Sequence, residues 1–439
     1  MNNETIVALA TARGKSAISI IRLSGEQAKS IAATIFSPMP SKPNFIKKGT
    51  LSTELFKDEA MCVYFNKPKS YTGEDCVEIY MHGGRAISDG TLKECIKKGA
   101  RIATNGEFSK RAFLNGKMTL ENAEGVIEMI EAESALQVKS GYDMLTGRLQ
   151  KEIEILQNEL TDLLAQIEVS LDYPEEDLEV MTLEKTQQPL EVIKSQIEKL
   201  LSSALLAPIV KNGADIAIVG EVNAGKSSIL NALVNMDRAI VSTQAGTTRD
   251  IVSATINYKD LKLNFYDTAG LRETESEIEM EGISRAKNLA ANCDLVLYVV
   301  QTPLNDGDKQ FLNALVAPHI AVLNKCDIVN YSDSDKEYGF ALSALKNIGI
   351  EELKEKIYQM FISGKADSDQ LIVISSRHID CLKRSYDALN NAFNVIKTGT
   401  LDCIAVPLYD AWNAMGEISG KTATEEIVNT IFSKFCLGK

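Results

Sequence analysis

The sequence predicts a multidomain protein with three parts: an α+β N-terminal domain, an α-helical domain discontinuous in sequence, and an α/β domain inserted between the helical halves. Three observations carry this. The 439 residues exceed one ordinary hydrophobic core and suit two or three. The hydrophobic period changes along the chain, from mixed, to helical near Leu120, to strand–helix alternation after Ala207 and Pro208, and back to helical after about residue 366. At 45% hydrophobic and 24% charged residues, the composition is that of a globular chain rather than a disordered one.

Residues 1–118 mix short β-like runs with Gly-rich turns such as His82-Gly83-Gly84. The runs Thr5-Ile6-Val7-Ala8, Ile18 to Ile21 and Cys76 to Tyr80 make this an α+β unit. From Leu120 to Leu171 there is no proline, and Ile153, Leu156, Leu160, Leu163, Leu164 and Ile167 recur at helical spacing. Pro174 interrupts the helical pattern, which resumes over roughly 183–206. This first helical half is assigned 119–212. Within 213–366, apolar strands are expected at 215–219, 261–266, 295–300, 320–323 and 340–342, separated by helices, which implies a largely parallel sheet. Residues 367–439 form the second helical half.

Eight cysteines stand singly with no C-x-x-C pair, and there are three histidines. That pattern argues against a zinc site or a disulfide framework and predicts a reducing compartment. No apolar run reaches the ~18 residues of a membrane span, and no secretory signal pattern opens the chain. The expectation is a cytoplasmic protein with no membrane partner. Net charge is −13, yet residues 1–118 carry 18 Lys/Arg against 11 Asp/Glu, while the remainder carries 29 against 49. A basic N-terminal unit on an acidic body suits an anionic ligand or RNA, and equally an ordinary solvated surface.

The stretch Gly220-Glu221-Val222-Asn223-Ala224-Gly225-Lys226-Ser227 fits G-x-x-x-x-G-K-[ST]. It follows an expected strand and opens an expected helix at Ser228. Such a loop wraps phosphates with backbone N–H groups and the helix N-terminus. Lys226 would neutralise the β- and γ-phosphates, and Ser227 would ligate Mg²⁺. Asp267-Thr268-Ala269-Gly270 ends a later strand, with Asp267 in the outer Mg²⁺ sphere and the Gly270 amide near the γ-phosphate. Asn324-Lys325-Cys326-Asp327 ends another. Asp327 can accept from the N1–H and N2 amino group of guanine, whereas adenine would present a lone pair, so the site selects GTP. Ser343, Ala344 and Leu345 then offer a backbone donor to the guanine O6. Thr248, in Ala245-Gly246-Thr247-Thr248-Arg249-Asp250, is the natural threonine to close on Mg²⁺ when the γ-phosphate is present. The inserted domain is therefore a Ras-like P-loop GTPase domain.

Leu271 stands where Ras-type enzymes place a water-orienting glutamine. Glu273, Glu275, Glu277, Glu279 and Glu281 follow it, and the residues alone do not choose among them. The phosphate loop holds no arginine. The Asn223 carboxamide could face a monovalent cation that offsets developing charge, or simply form a turn.

These residues together resemble the tRNA modification GTPase family MnmE (TrmE) over essentially the whole chain. The resemblance rests on Arg22-Leu23-Ser24-Gly25, Tyr71-Thr72-Gly73-Glu74-Asp75, Gly106-Glu107-Phe108, Arg111-Ala112-Phe113-Leu114-Asn115, Leu171-Asp172-Tyr173-Pro174-Glu175-Glu176, the GTPase motifs, and the terminal Phe435-Cys436-Leu437-Gly438-Lys439. It implies an N-terminal domain for dimerisation and tetrahydrofolate binding, with Arg22, Glu78, Lys117 and Lys439 at the folate contacts. A carboxylate such as Glu78 can pair with the amino-pyrimidinone edge of a pterin, and the cations can meet its carbonyl or carboxylate oxygens.

It further implies K⁺ bound by Asn223, Ser242, Gln244 and Thr247, and Glu279 as the catalytic, water-orienting residue. The GTP contacts it implies are Asn223, Ala224, Gly225, Lys226, Ser227 and Ser228; then Ser242, Thr243, Gln244, Ala245, Gly246, Thr247 and Thr248; then Asp267, Thr268, Ala269 and Gly270. On the base side they are Asn324, Lys325, Asp327, Ser343, Ala344 and Leu345. Mg²⁺ falls to Ser227 and Thr248. The implied assembly is a homodimer that joins an MnmG-type FAD protein in a heterotetrameric complex. It modifies C5 of the wobble uridine of certain tRNAs with a one-carbon unit from a formyl or methylene tetrahydrofolate. Cys436 matches a family cysteine and is assigned no role. Two other readings compete: an Era-type RNA-binding or ribosome-assembly switch, and a folate-dependent one-carbon transferase in which GTP only regulates.

Overall fold

The computed structural model describes residues 4–172, 182–221, 223–236, 254–267, 293–362, 370–420 and 424–438. Its contacts divide the chain into two units, Met1–Ile130 with Gly141–Glu191 and Arg384–Lys439, and Glu131–Ser140 with Val192–Lys383.

The first unit contains β1 (Ile6–Leu9), β2 (Ser16–Ser24), β3 (Phe36–Ser37), β4 (Lys47–Ser52), β5 (Lys57–Phe65), β6 (Cys76–Gly83) and β7 (Arg101–Ile102). They form a seven-stranded sheet in the order β3-β4-β5-β6-β2-β1-β7, antiparallel except for the β1–β7 pair. Burial alternates with period two: Ile21 and Leu23 of β2 and Val77, Ile79 and Met81 of β6 are buried, with Ile31 and Ile35 of the helix Ala28–Ile35 in the same cluster. Each fully buried aliphatic side chain there contributes about 1.5–3 kcal/mol. The same alternation sends Arg22, Glu78 and Tyr80 to the opposite face of the sheet.

The two sequence halves of the helical part meet inside this unit. In Arg148–Asp172 the buried stripe includes Ile153, Leu156, Leu160, Leu163, Leu164 and Ile167, and this helix packs along Leu401–Ser419. Gln157 Nε2 donates to the Trp412 carbonyl at 3.0 Å, and Trp412 Nε1 donates to Thr161 Oγ1 at 3.0 Å. Val428, Ile431, Phe432 and Phe435 pack on Leu120 and Ala123.

The second unit contains β8 (Ala214–Gly220), β9 (Ala254–Tyr258), β10 (Leu261–Asp267), β11 (Leu295–Val300), β12 (His319–Leu323) and β13 (Gly339–Ala341) in the order β13-β12-β11-β8-β10-β9. All pairs are parallel except β9–β10. The central strands β8 and β11 are nearly continuous in burial because helices cover both faces of such a sheet. From β8 the chain turns one way to β10, and β11 pairs on the other side. The carboxyl end of β8 is thus a topological switch point, where ligands bind in open α/β folds.

Three details differ from the sequence expectation. The helical stretch from Leu120 is broken into Leu120–Glu131, Ala135–Leu145 and Arg148–Asp172. Ser134 Oγ accepts from the Gln137 amide while Gln137 Oε1 accepts from the Glu133 amide, a reciprocal cap that starts a new helix. Gly147 at φ 64° separates the next pair. The edge strand β9 was not anticipated. After residue 366 the described chain resumes as a buried run outside helix and strand, Leu371 to Ile374, before the helix Ser376–Thr398 begins; three of those four residues are β-branched, which lowers helix propensity. Pro174 lies outside the described residues. Among the described residues no helix is long and apolar enough to cross a membrane.

Candidate functional site

At the switch point, β8 ends on Gly220 and the helix Lys226–Met236 begins six residues later. Asn223 and Gly225 both adopt left-handed backbone, at φ 64° and 92°. That curl turns successive N–H groups toward the helix mouth, an arrangement that binds anions. Lys226 is buried, and its ammonium donates to the Gly220 and Glu221 carbonyls at 2.9 and 2.7 Å. Its positive charge is thereby held inside the loop. Ser227 and Ser228 are exposed at the first turn of the helix.

The base-side motif reaches the same loop. Asn324, 2% exposed, follows β12. Its Nδ2 donates to the Ala224 carbonyl at 2.8 Å, and its Oδ1 accepts from the Lys325 amide at 2.8 Å and the Ala344 amide at 3.2 Å. One carboxamide therefore ties the phosphate loop, the end of β12 and the segment after β13. Lys325, at φ 62°, extends its ammonium to the Asn223 carbonyl at 3.3 Å and to Gln301. A Cβ on Gly225 would stand 2.2 Å from Asn324 Nδ2, so only glycine allows this approach. Ser343 is buried and exchanges two backbone hydrogen bonds with Ile348, and Leu345 is exposed. Asp327 is exposed on the turn after Lys325. Asp267 closes β10 opposite Ile218 of β8. Thr268, Ala269, Gly270, the loop from Ser242 to Thr248, Glu279 and Lys439 lie outside the described residues.

A second constellation lies on the open face of the N-terminal sheet. Arg22 and Glu78 are directly opposite in the β2–β6 register. Arg22 Nε and Nη2 each lie 2.8 Å from Glu78 Oε1, and the Tyr80 hydroxyl donates to Glu78 Oε2 at 2.6 Å. Burial, reinforced by the Glu78 carboxylate, pushes the Tyr80 hydroxyl up to about 12, so it stays a donor. The Arg22 guanidinium lies 5.1 Å from the Tyr71 ring centroid and 5.8 Å from that of Phe108. Arg22, Tyr71 and Glu78 line a cavity of about 380 Å³.

The loop carrying Tyr71 is pinned from the helix Glu107–Leu114. Arg111 Nη1 meets Glu74 at 2.9 Å, Asn115 Nδ2 donates to the Thr72 carbonyl at 2.7 Å, and the Tyr71 hydroxyl lies 2.7 Å from Ser109 Oγ. Burial alone would raise the Glu107 carboxyl, but Arg101, the Thr104 amide and Arg111 together hold it down at about 2. Lys117 is exposed, with its stem against Gly73 of that loop and away from the cavity lining. The chain end returns here: Gly438, at φ 98°, packs so closely on the Leu9 carbonyl that a Cβ would sit 2.2 Å from it. Leu9 adjoins Ala8, which pairs with Arg22. Arg22, Glu78 and the residue preceding Lys439 therefore converge on one region of the sheet.

Several residues at these sites escaped sequence reasoning. The Tyr331 hydroxyl, held up to about 12 by burial, donates to the Asn324 carbonyl at 2.5 Å, and Gln301 receives Lys325. Nothing in local spacing marks either residue. Tyr80 had a usable signal, since it lies two residues from Glu78 on one strand and so shares its face.

Comparisons with known proteins agree along the whole length. A family model described as GTP-binding protein TrmE N-terminus matches residues 5–117, and one described as MnmE helical domain matches residues 120–436. A tRNA modification GTPase MnmE of Clostridioides difficile is 36% identical over 456 residues, covering 100% of this chain and 99% of that protein. Its counterpart in Mycoplasma mycoides subsp. mycoides SC is 38% identical over 450 residues, with the same coverage of each. Among solved structures, Era of Aquifex aeolicus is 24% identical, covering 40% of this chain and 66% of that one with a TM-score of 0.27.

Proposed function

The chain belongs to the tRNA modification GTPase MnmE family, and on that premise we propose that it is a K⁺-dependent GTPase whose hydrolysis cycle drives modification of wobble uridine at C5 in certain tRNAs. The single observation that carries this reading is the junction of the phosphate loop and the base-side motif through Asn324, in a chain similar to the family from end to end.

GTP lies with its phosphates on the loop Asn223 to Ser228 and its guanine against Asp327. The curled backbone and the helix N-terminus offer N–H donors, and Lys226 supplies the cation. The Ser227 hydroxyl and Thr248 hold Mg²⁺. The Asn223 carboxamide, with Ser242, Gln244 and Thr247, holds K⁺, which supplies the positive charge that an arginine supplies elsewhere. Leu271 has no group to orient the attacking water, and Glu279, the position that the family resemblance implies for this role, orients it in this reading. Glu279→Ala is expected to retain GTP binding and to slow turnover by ~10²-fold or more.

The N-terminal cavity suits a tetrahydrofolate carrier of a formyl or methylene group. In this reading Glu78 faces the donor edge of its pterin, Arg22 and Lys439 meet its oxygens, and Lys117, which stands outside the cavity lining, meets the part of the carrier that extends beyond the cavity. The domain division that goes with this reading is proposed as 1–118 for folate binding and dimerisation, 119–212 and 367–439 for the helical domain, and 213–366 for the GTPase domain. Homodimerisation is favoured by exposed apolar side chains of this domain, Ile18 and Met61 on the sheet face opposite the helix Ala28–Ile35, with Phe45 and Ile46 just before β4. An MnmG-type FAD protein completes a heterotetramer that acts on tRNA in the cytoplasm.

The test is GTP turnover by the purified protein in matched KCl and NaCl. Faster turnover in KCl is expected, and equal rates would remove the cation from the mechanism. Folate binding separates this reading from an Era-type switch, which has no use for the carrier.

A further inference from the structure

The cavity beside Arg22 and Glu78 is also lined by Lys69, Asn44 and the Phe65 ring. Its two cations differ. Arg22 is neutralised by Glu78 at 2.8 Å, whereas the Lys69 ammonium has no hydrogen bond or ion pair among the described residues. Lys69 is not on a loose loop. Its amide donates to the Asn66 carbonyl at 2.8 Å, the neighbouring Lys67 amide donates to Asp75 Oδ1 at 2.8 Å, and Ser70 Oγ donates to the Glu74 carbonyl at 2.5 Å. Glu74 is in turn held by Arg111. A fixed backbone therefore presents an uncompensated positive charge at the rim of a concave site whose other charges cancel. Such a site concentrates anions, and its field is stronger in a recess than on an open surface.

We infer that Lys69 recognises the acidic tail of the cavity's ligand, so that the site selects a flat amino-oxo heterocycle bearing a carboxylate-rich extension over the same heterocycle without one. The inference rests on the folate reading above, in which that extension is the glutamyl tail. It assigns the two ends of the ligand to separate groups. Glu78 and the aromatic rings read the heterocycle, and Lys69 reads the tail and favours longer polyglutamate chains, which bring more carboxylates within its reach.

The experiment measures binding of three probes to the purified full-length protein at low ionic strength: 5-formyltetrahydropteroate, which has no glutamate, and the mono- and triglutamate forms of 5-formyltetrahydrofolate. The wild-type protein is expected to bind the triglutamate most tightly. Lys69→Met is expected to weaken the triglutamate about two- to five-fold, the range of one partly solvated ion pair, and to leave the pteroate unchanged. The difference should shrink as salt is raised. Glu78→Gln is expected to weaken all three probes alike. Equal wild-type affinity for all three probes, or an equal loss on all three in Lys69→Met, overturns the role of Lys69 while leaving the folate reading intact. Failure of the wild-type protein to bind any of them overturns the folate reading, and the inference with it.

Discussion

Replacing Asn324 by alanine should separate the two halves of the nucleotide site while leaving both motifs in sequence. The carboxamide is buried and makes three hydrogen bonds, one to Ala224 and two from Lys325 and Ala344. Each such bond is worth about 0.5–1.5 kcal/mol net, and a buried partner left without one costs about 1–3 kcal/mol. The Ala224 carbonyl and the Ala344 amide are the partners most exposed to that penalty, so the expected loss is about 3–5 kcal/mol. That is a large share of a domain's total of about 5–15 kcal/mol. Because the lost bonds hold the phosphate loop against the guanine side, about 3 kcal/mol of it should appear as a ~10²-fold weaker affinity for GTP. The assay is titration with a fluorescent GTP analogue, alongside urea unfolding followed by a signal from the second unit. Tyr331→Phe is the graded control. It removes one donor to the Asn324 carbonyl and should cost about 1 kcal/mol, with binding weakened less than tenfold. An Asn324→Ala protein that binds GTP within twofold of wild type and unfolds at the same urea concentration would refute the reasoning.

Three further outcomes are expected. Gly225→Ala should abolish measurable GTP binding, because its Cβ would stand 2.2 Å from Asn324 Nδ2 on a backbone at φ 92°; binding within tenfold of wild type would contradict this. Glu107→Gln should destabilise the first unit in a pH-dependent way. Arg101, the Thr104 amide and Arg111 outweigh burial and depress the Glu107 carboxyl from its ordinary 4.5 to about 2 in the folded protein, so its stabilisation is complete above about pH 4.5 and is lost as pH falls toward 2. Discounted for solvent screening of a partly exposed group, the gap between wild-type and variant stability should be about 1–2 kcal/mol near neutral pH and close below pH 4.5, and a constant gap would be the contrary result. On the folate reading proposed above, Tyr71→Leu should weaken binding of 5-formyltetrahydrofolate by about three- to tenfold, since it removes the ring beneath the Arg22 guanidinium, and isothermal titration reads the change.

The parallel strands of the second unit were legible because burial on both faces leaves an unbroken apolar run, as in Ile216 to Val219 and Leu295 to Val300. Edge strand β9 was not, for two reasons. It is only five residues long with small Ala254 and polar Asn257 leaving a weak apolar signal, and its hairpin turn holds Lys259 at φ 53° where a glycine or asparagine would have announced it. The phosphate loop and base-side motifs were legible as residue types at fixed spacing. What spacing could not show is that Asn324 closes on Ala224 or that Tyr331 holds Asn324, because those contacts depend on which strand ends lie side by side. Likewise, each of Arg22 and Glu78 reads as a lone surface charge until the β2–β6 register sets them opposite one another. The register follows from burying Ile21, Leu23, Val77 and Ile79 on one face, which a one-residue slip would reverse.

The central claim, that this chain is a GTPase acting in modification of the tRNA wobble position, is tested most directly by wobble nucleosides in tRNA from cells lacking the protein. Loss of a C5-modified wobble uridine is expected, with recovery on supply of the wild-type chain but not of Lys226→Ala. An unchanged nucleoside profile in the cells lacking the protein would contradict the account.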